Sequence, residues 1–149
     1  MGIRAVMVGY AEDDLQSIFK KIQGTSGATY TTIHEPPPKK DEKVSRSYGT
    51  IANTQEGDSL FIIAHGNGEE WGSSDSTVGI SQSDMVDFMA RTVADGAMVF
   101  LCICDSIGGG KSLKKLRPEI RVWAADGTPE LSWTGSGISD STGKFKECK

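Results

Sequence analysis

A chain of 149 residues with 37% hydrophobic and 24% charged side chains is long enough to bury one core and too short for two ordinary domains, so a single domain over 1–149 is expected. Sixteen Lys and Arg against 20 Asp and Glu give a net charge of −4, and no basic stripe is interleaved with aromatics, which argues against a nucleic-acid partner. No apolar stretch approaches the roughly 18 residues of a membrane span, and no leader pattern opens the chain. The expectation is therefore a protein with no membrane partner, either cytoplasmic or exported by a signal-independent machine.

Ile3 to Val8 is rich in β-branched and apolar residues and stops at Gly9, as a strand does. A helix follows, capped by Asp13 or Asp14. Leu15, Ile18, Phe19 and Ile22 recur at i, i+3, i+4 and i+7, Lys20 and Lys21 complement the carboxyl end, and Gly24 stops it. Ala28 to Ile33 alternates weakly as a second strand, and the Pro-rich, charged run from His34 to Glu42 predicts an exposed loop. Val44, Tyr48, Ile51 and Ala52 have helical spacing, against which Gly49 counts.

Leu60 to Ala64 is a short apolar run, the pattern of a strand buried on both faces, and it ends in His65-Gly66. A Gly-, Ser- and acid-rich loop from Asn67 to Gly79 follows. Ser81 to Asp84 has the form of a capping box, opening a helix with Met85, Val86, Met89 and Val93 on one face. Ala97 to Ile103 is a second buried-strand pattern, ending in Cys104-Asp105-Ser106. Gly108-Gly109-Gly110 reads as a turn before a basic helix around Leu113 and Leu116 that Pro118 terminates. Ile120 to Ala125 forms another strand. The Asp126-Gly127 turn then predicts that Glu130 to Trp133 pairs back as an edge hairpin, leaving a loose polar tail. Alternating strands and helices of these lengths predict an α/β protein, a three-layer sandwich around a mostly parallel sheet.

In such sheets ligands bind at the carboxyl ends of the strands, so two strands deliver an imidazole and a thiol to one edge. A nucleophile and its base need that proximity. Cys104 precedes a turn into a helix, where the helix N-terminus and a nearby imidazole favour the thiolate. Cys102, inside the apolar run, reads as a small buried hydrophobe, and Cys148 as an incidental tail thiol. Three cysteines, two of them one residue apart, suit a reducing compartment better than a disulfide framework. A zinc site lacks a second ligand pair with suitable spacing, so no metal is expected. Gly108 to Ser112 imitates the end of a phosphate-binding loop, but Asp105 stands where the first Gly is required, and no Arg lies six residues after either Cys as a tyrosine phosphatase needs.

The order of these motifs, apolar block with His65-Gly66, helix, then apolar block with Cys104 and a short polar residue, resembles the caspase and hemoglobinase superfamily of cysteine peptidases, clan CD. The string Leu101 to Gly109 is most similar to the nucleophile segment of CHAT domains and of related processing domains in bacterial toxins. The resemblance spans roughly Asp58 to Gly137. It departs at Ile103, where many relatives carry Ala, and at Cys102, where some carry an acid. It implies a caspase-like fold, His65 as general base, Cys104 as nucleophile, and no cofactor. The backbone N–H groups of Gly66 and Cys104 are the expected oxyanion hole. A peptide or protein substrate is the expected partner. Trp71, in the loop after His65, is expected to line the pocket; Asp75, Asp105 and Asp126 are expected to surround a bound side chain with negative charge and so favour Lys or Arg before the scissile bond. The alternatives are a silent scaffold or interaction module of the same fold, and a flavodoxin-like ligand-binding domain.

Overall fold

The computed structural model describes residues 2–9, 13–33, 42–73 and 78–149, excepting the side chains of 13–16, 33 and 42–46. The expected exposed loop lies almost wholly outside these residues and Asp75 lies outside them, while the capping side chains expected at Asp13 or Asp14 are not among those described.

In chain order the elements are β1 (Ile3–Val8), α1 (Asp13–Gln23), β2 (Thr29–Ile33), α2 (Glu42–Ala52), β3 (Ser59–Ile63), β4 (His65–Gly66), β5 (Glu70–Gly72), β6 (Gly79–Ser81), α3 (Gln82–Thr92), β7 (Met98–Cys102), α4 (Ile107–Leu116), β8 (Arg121–Ala125), β9 (Leu131–Trp133), β10 (Ile138–Asp140) and β11 (Phe145–Cys148). The main sheet runs β11-β8-β7-β3-β1-β2. Its strands are parallel except β11, which pairs antiparallel with β8. Strand order reverses at β1, so the carboxyl ends of β1 and β3 flank a switch point, with β7 the next strand over.

Two apolar cores, one on each face, make the sandwich. Alternation along β3 sends Leu60 and Ile62 to one side, with Met85, Met89 and Leu113 of α3 and α4, and Ile51 of α2. Phe61 and Ile63 point the other way, onto Ile18, Phe19 and Ile22 of α1. This mostly parallel sheet between two layers is the α/β architecture expected.

Helix α3 starts as its capping box requires, the Asp84 N–H donating to Ser81 Oγ at 3.3 Å. Helix α2 forms despite Gly49, because Ile51 is buried against the sheet and that burial outweighs a propensity cost of about 1 kcal/mol. The glycine run is not a turn: Gly108, Gly109 and Gly110 are the first turns of α4. A Cβ on Gly109 would lie 2.7 Å from the Gln82 side chain, and one on Gly110 2.7 Å from both Ala124 Cβ and Cys148 Sγ. These glycines let α4 press against α3 and the sheet, which explains the imitation of a phosphate loop.

The last third of the chain differs most from expectation. The Asp126-Gly127 turn exists, with Gly127 at φ +94°, but β9 pairs with β10 rather than with β8. The tail is not loose; β11 is the edge partner of β8, and Cys148 is buried in it. Instead of extending the sheet, the β9–β10 hairpin covers it, with Trp133 edge-on to Phe61 at 5.2 Å between ring centroids. The bulky indole finds more apolar surface over the sheet beside α1 than at an edge.

Candidate active site

His65 follows β3 by one residue, Ala64, whose N–H reaches the Cys102 carbonyl at 3.4 Å. Where a loop is expected, the described residues include β5 and the start of β6, which with β4 form a three-stranded antiparallel sheet, β4-β5-β6, in which His65 sits opposite Gly72 and Gly66 opposite Trp71. Gln82 locks that sheet down. Its side chain accepts from Trp71 Nε1 at 3.1 Å and donates to the Gly68 carbonyl at 3.1 Å, while its N–H donates to Glu69 at 2.8 Å. Trp71 is therefore fully buried in the core and does not line the cleft, contrary to expectation. An indole needs one hydrogen-bond acceptor and much apolar area, and Gln82 and the core supply both.

Cys104 leaves the end of β7 through a tight turn. Asp105, next along, has φ +56°, the one non-glycine residue with positive φ among those described. Asp tolerates this left-handed region better than most residues, and such backbone strain clusters at functional sites. The turn is held from two sides. The Asp105 N–H donates to the Gly127 carbonyl at 2.9 Å, and fully buried Ser106 donates through Oγ to the Leu101 carbonyl at 3.3 Å while accepting from the Ala125 N–H at 3.0 Å. Ser106 thus ties the ends of β7 and β8 together. A short polar residue after the cysteine was a visible signal; its role as a clamp was not.

The two strand ends meet. A Cβ on Gly66 would stand 2.5 Å from the Cys104 carbonyl oxygen and 2.5 Å from Ile103 Cγ2, so only glycine lets these backbones approach so closely. The Cys104 N–H donates to no acceptor among the described residues. The Nε2 atom of His65 is buried and likewise without a partner among them. Of the expected acids, Asp105 and Asp126 are exposed at this edge, and neither lines the cleft beside Cys104.

That cleft has a volume of about 300 Å³, with Ala64, Cys102 and Cys104 on its sheet side and Pro129, Glu130 and Ser141 on the opposite wall. Its carboxylate is Glu130, which the sequence reading passed over because it lies 26 residues from Cys104. Glu130 accepts from Ser141 Oγ at 3.1 Å, and its own N–H donates to Asp140 at 2.9 Å. Partial burial works against ionisation of Asp140, but hydrogen bonds from Thr142, Phe145 and Glu130 outweigh it and hold the carboxyl well below the usual carboxylate range. The hairpin wall is thus carried by a group that stays ionised through the physiological range.

Burial separates the three thiols. Cys102 is fully buried and desolvation pushes its thiol far up; Cys148 is buried at the edge strand and shifts up for the same reason. Cys104 is part-exposed. Iodoacetamide at neutral pH is expected to label Cys104 and to spare Cys102 and Cys148 until the chain unfolds, because a buried thiol stays protonated and shielded. Peptide mapping of alkylated native protein checks this; labelling of Cys148 ahead of Cys104 contradicts it.

Among the described residues no three His, Cys, Asp or Glu side chains gather as a metal site, and no helix is long and apolar enough to cross a membrane. No family model matches the chain, and no curated protein matches it. Among solved structures it is similar to a secreted C11 cysteine protease from Bacteroides thetaiotaomicron, determined in complex with an irreversible peptide inhibitor, at 13% identity and a TM-score of 0.43. The match covers 87% of this chain and 51% of that one, so the chain spans about half the length of that structure.

Proposed function

We propose that the chain is a cysteine peptidase of the caspase-like type, with His65 and Cys104 as its dyad and a nucleophile segment of the CHAT kind. The observation that carries this reading is the meeting of two strand ends, where Gly66 lies against the Cys104 carbonyl; of the two strand ends Cys104 lines the cleft, and His65 and Gly66 stand outside its lining. The Cys104 thiolate attacks a peptide carbonyl carbon, and the N–H groups of Cys104 and Gly66 stabilise the oxyanion. His65, holding the thiol proton, passes it to the leaving amine. Water then attacks the thioester carbonyl, His65 takes its proton, and the carboxylic acid leaves as the thiol re-forms.

The side chain before the scissile bond enters the cleft and meets Glu130, so Lys or Arg is preferred there, through Glu130 rather than Asp105 or Asp126. Fluorogenic peptide profiling tests both claims. Cleavage after Lys or Arg is expected, and Glu130→Gln should lower kcat/KM on a Lys substrate by roughly 5–10-fold, the upper range for a charge pair that keeps contact with water, because Glu130 is exposed, with far less effect on a norleucine substrate. Cleavage only after acidic or aliphatic residues rejects the specificity. Complete absence of turnover, with Cys104 no faster than an ordinary thiol, favours the silent scaffold, a reading supported by the absence of a hydrogen bond on His65 Nε2.

A further inference from the structure

We infer that Asp140 is a positioning residue for substrate selection, acting through the cleft wall that carries Glu130; this rests on the peptidase reading above. The β9–β10 hairpin shares no ladder with the main sheet, and a lone two-stranded ribbon is marginal by itself. Its aromatic anchor, Trp133 on Phe61, lies at one end. At the other end Asp140 is the hub. Oδ1 accepts from the N–H of Glu130 and of Thr142, each at 2.9 Å, and Oδ2 accepts from the N–H of Lys144 at 2.8 Å and of Phe145 at 2.9 Å. Both oxygens also receive Thr142 Oγ1 at 2.8 Å.

One carboxylate thereby joins the wall, through Glu130, to the first residue of β11, which is part of the main sheet. The neighbouring residue, Ser141, holds the Glu130 side chain itself. None of these bonds is made to Cys104 itself: the nearest link is the Lys144 carbonyl, which accepts from the Asp126 N–H at 2.9 Å beside the Gly127 that holds Asp105, while Ser106 fixes the Cys104 turn independently to β7 and β8. Two functions thus rest on largely different bonds. The nucleophile sits on the sheet frame, and the selecting carboxylate sits on a wall whose distance from that frame Asp140 sets. Loss of Asp140 should loosen the grip on a basic side chain and leave the thiol as it was.

The test compares wild type, Asp140→Ala and Asp140→Asn on paired Lys and norleucine peptides, with iodoacetamide alkylation of Cys104 measured in parallel. For Asp140→Ala, KM on the Lys peptide should rise about tenfold, while kcat, KM on the norleucine peptide and the alkylation rate all stay within about twofold. Asp140→Asn retains one acceptor oxygen and should fall between. Equal losses on both peptides, slowed alkylation, or no change at all overturns the inference. Lysyl and norleucyl chloromethyl ketones separate this outcome from failure of the peptidase reading, because they report selection at Cys104 without turnover. A lysyl advantage in wild type that disappears in Asp140→Ala supports the role; no advantage, or one that survives the substitution, removes it.

Discussion

Cys104→Ala is expected to lower peptide hydrolysis by at least about 10⁴-fold, and His65→Ala by a comparable factor, because a nucleophile and its base act as one unit. For the same reason the double variant should be no worse than the worse single one. The cysteine is part-exposed, and among the described residues its sulfur has no hydrogen-bond partner, so its replacement should leave the melting temperature nearly unchanged. This separates it from a core thiol such as Cys102, whose loss would open space in a fully buried site. Steady-state kinetics on a fluorogenic Lys peptide, with circular dichroism to verify folding, decides the matter. Activity that survives Cys104→Ala eliminates the assignment of the nucleophile.

The second large effect is expected at Gly66. An added methyl would press on the Cys104 carbonyl oxygen and on Ile103 Cγ2, and the first of these is backbone, which cannot swing aside. Relief requires the β3 and β7 ends to part, and a misplacement of about 1 Å between reacting groups costs on the order of 10²-fold in rate. Gly66→Ala should therefore reduce kcat/KM by 10²-fold or more and lower stability by roughly 1–3 kcal/mol, the range for overpacking. Gly108→Ala is the control. Its Cβ would meet nothing within 4 Å, and alanine is the better helix former, so this variant should be as active as wild type and slightly more stable, by up to about 1 kcal/mol. Equal behaviour of the two variants in kinetics and melting would show that the close approach at Gly66 is not required.

What could be read from the chain followed from signals that are local. Strands β1, β3, β7 and β8 declare themselves as short, mostly apolar runs, since a strand covered on both faces carries few polar residues beyond its ends, and α1 and α3 by apolar residues on one face. With alternating order these specify the layers, and they place His65-Gly66 and Cys104 at strand ends. Local signals misled where burial has no local signature. Trp71 sits in a polar stretch and reads as part of the pocket lining, yet it is buried in the core, where Gln82, 11 residues away in sequence, satisfies its N–H. Gly108 to Gly110 read as a turn, yet the helix runs through them because the space between α3, β8 and β11 admits no larger side chain at two of the three positions.

The sequence by itself determined the layered α/β class, the two strand ends that bear His65 and Cys104, and the burial of Cys102, because each depends on composition within a few neighbouring residues. Only the tertiary structure decided which acid faces the cleft, what the carboxyl third of the chain does, and how the strand ends are held. Glu130 and Cys104 become neighbours through a hairpin that folds over the sheet, Ser106 earns its place by bridging two strands, and Asp140 gathers backbone N–H groups from both sides of a loop. Such contacts arise from surfaces that meet after folding, and no periodicity along the chain records which surfaces those are.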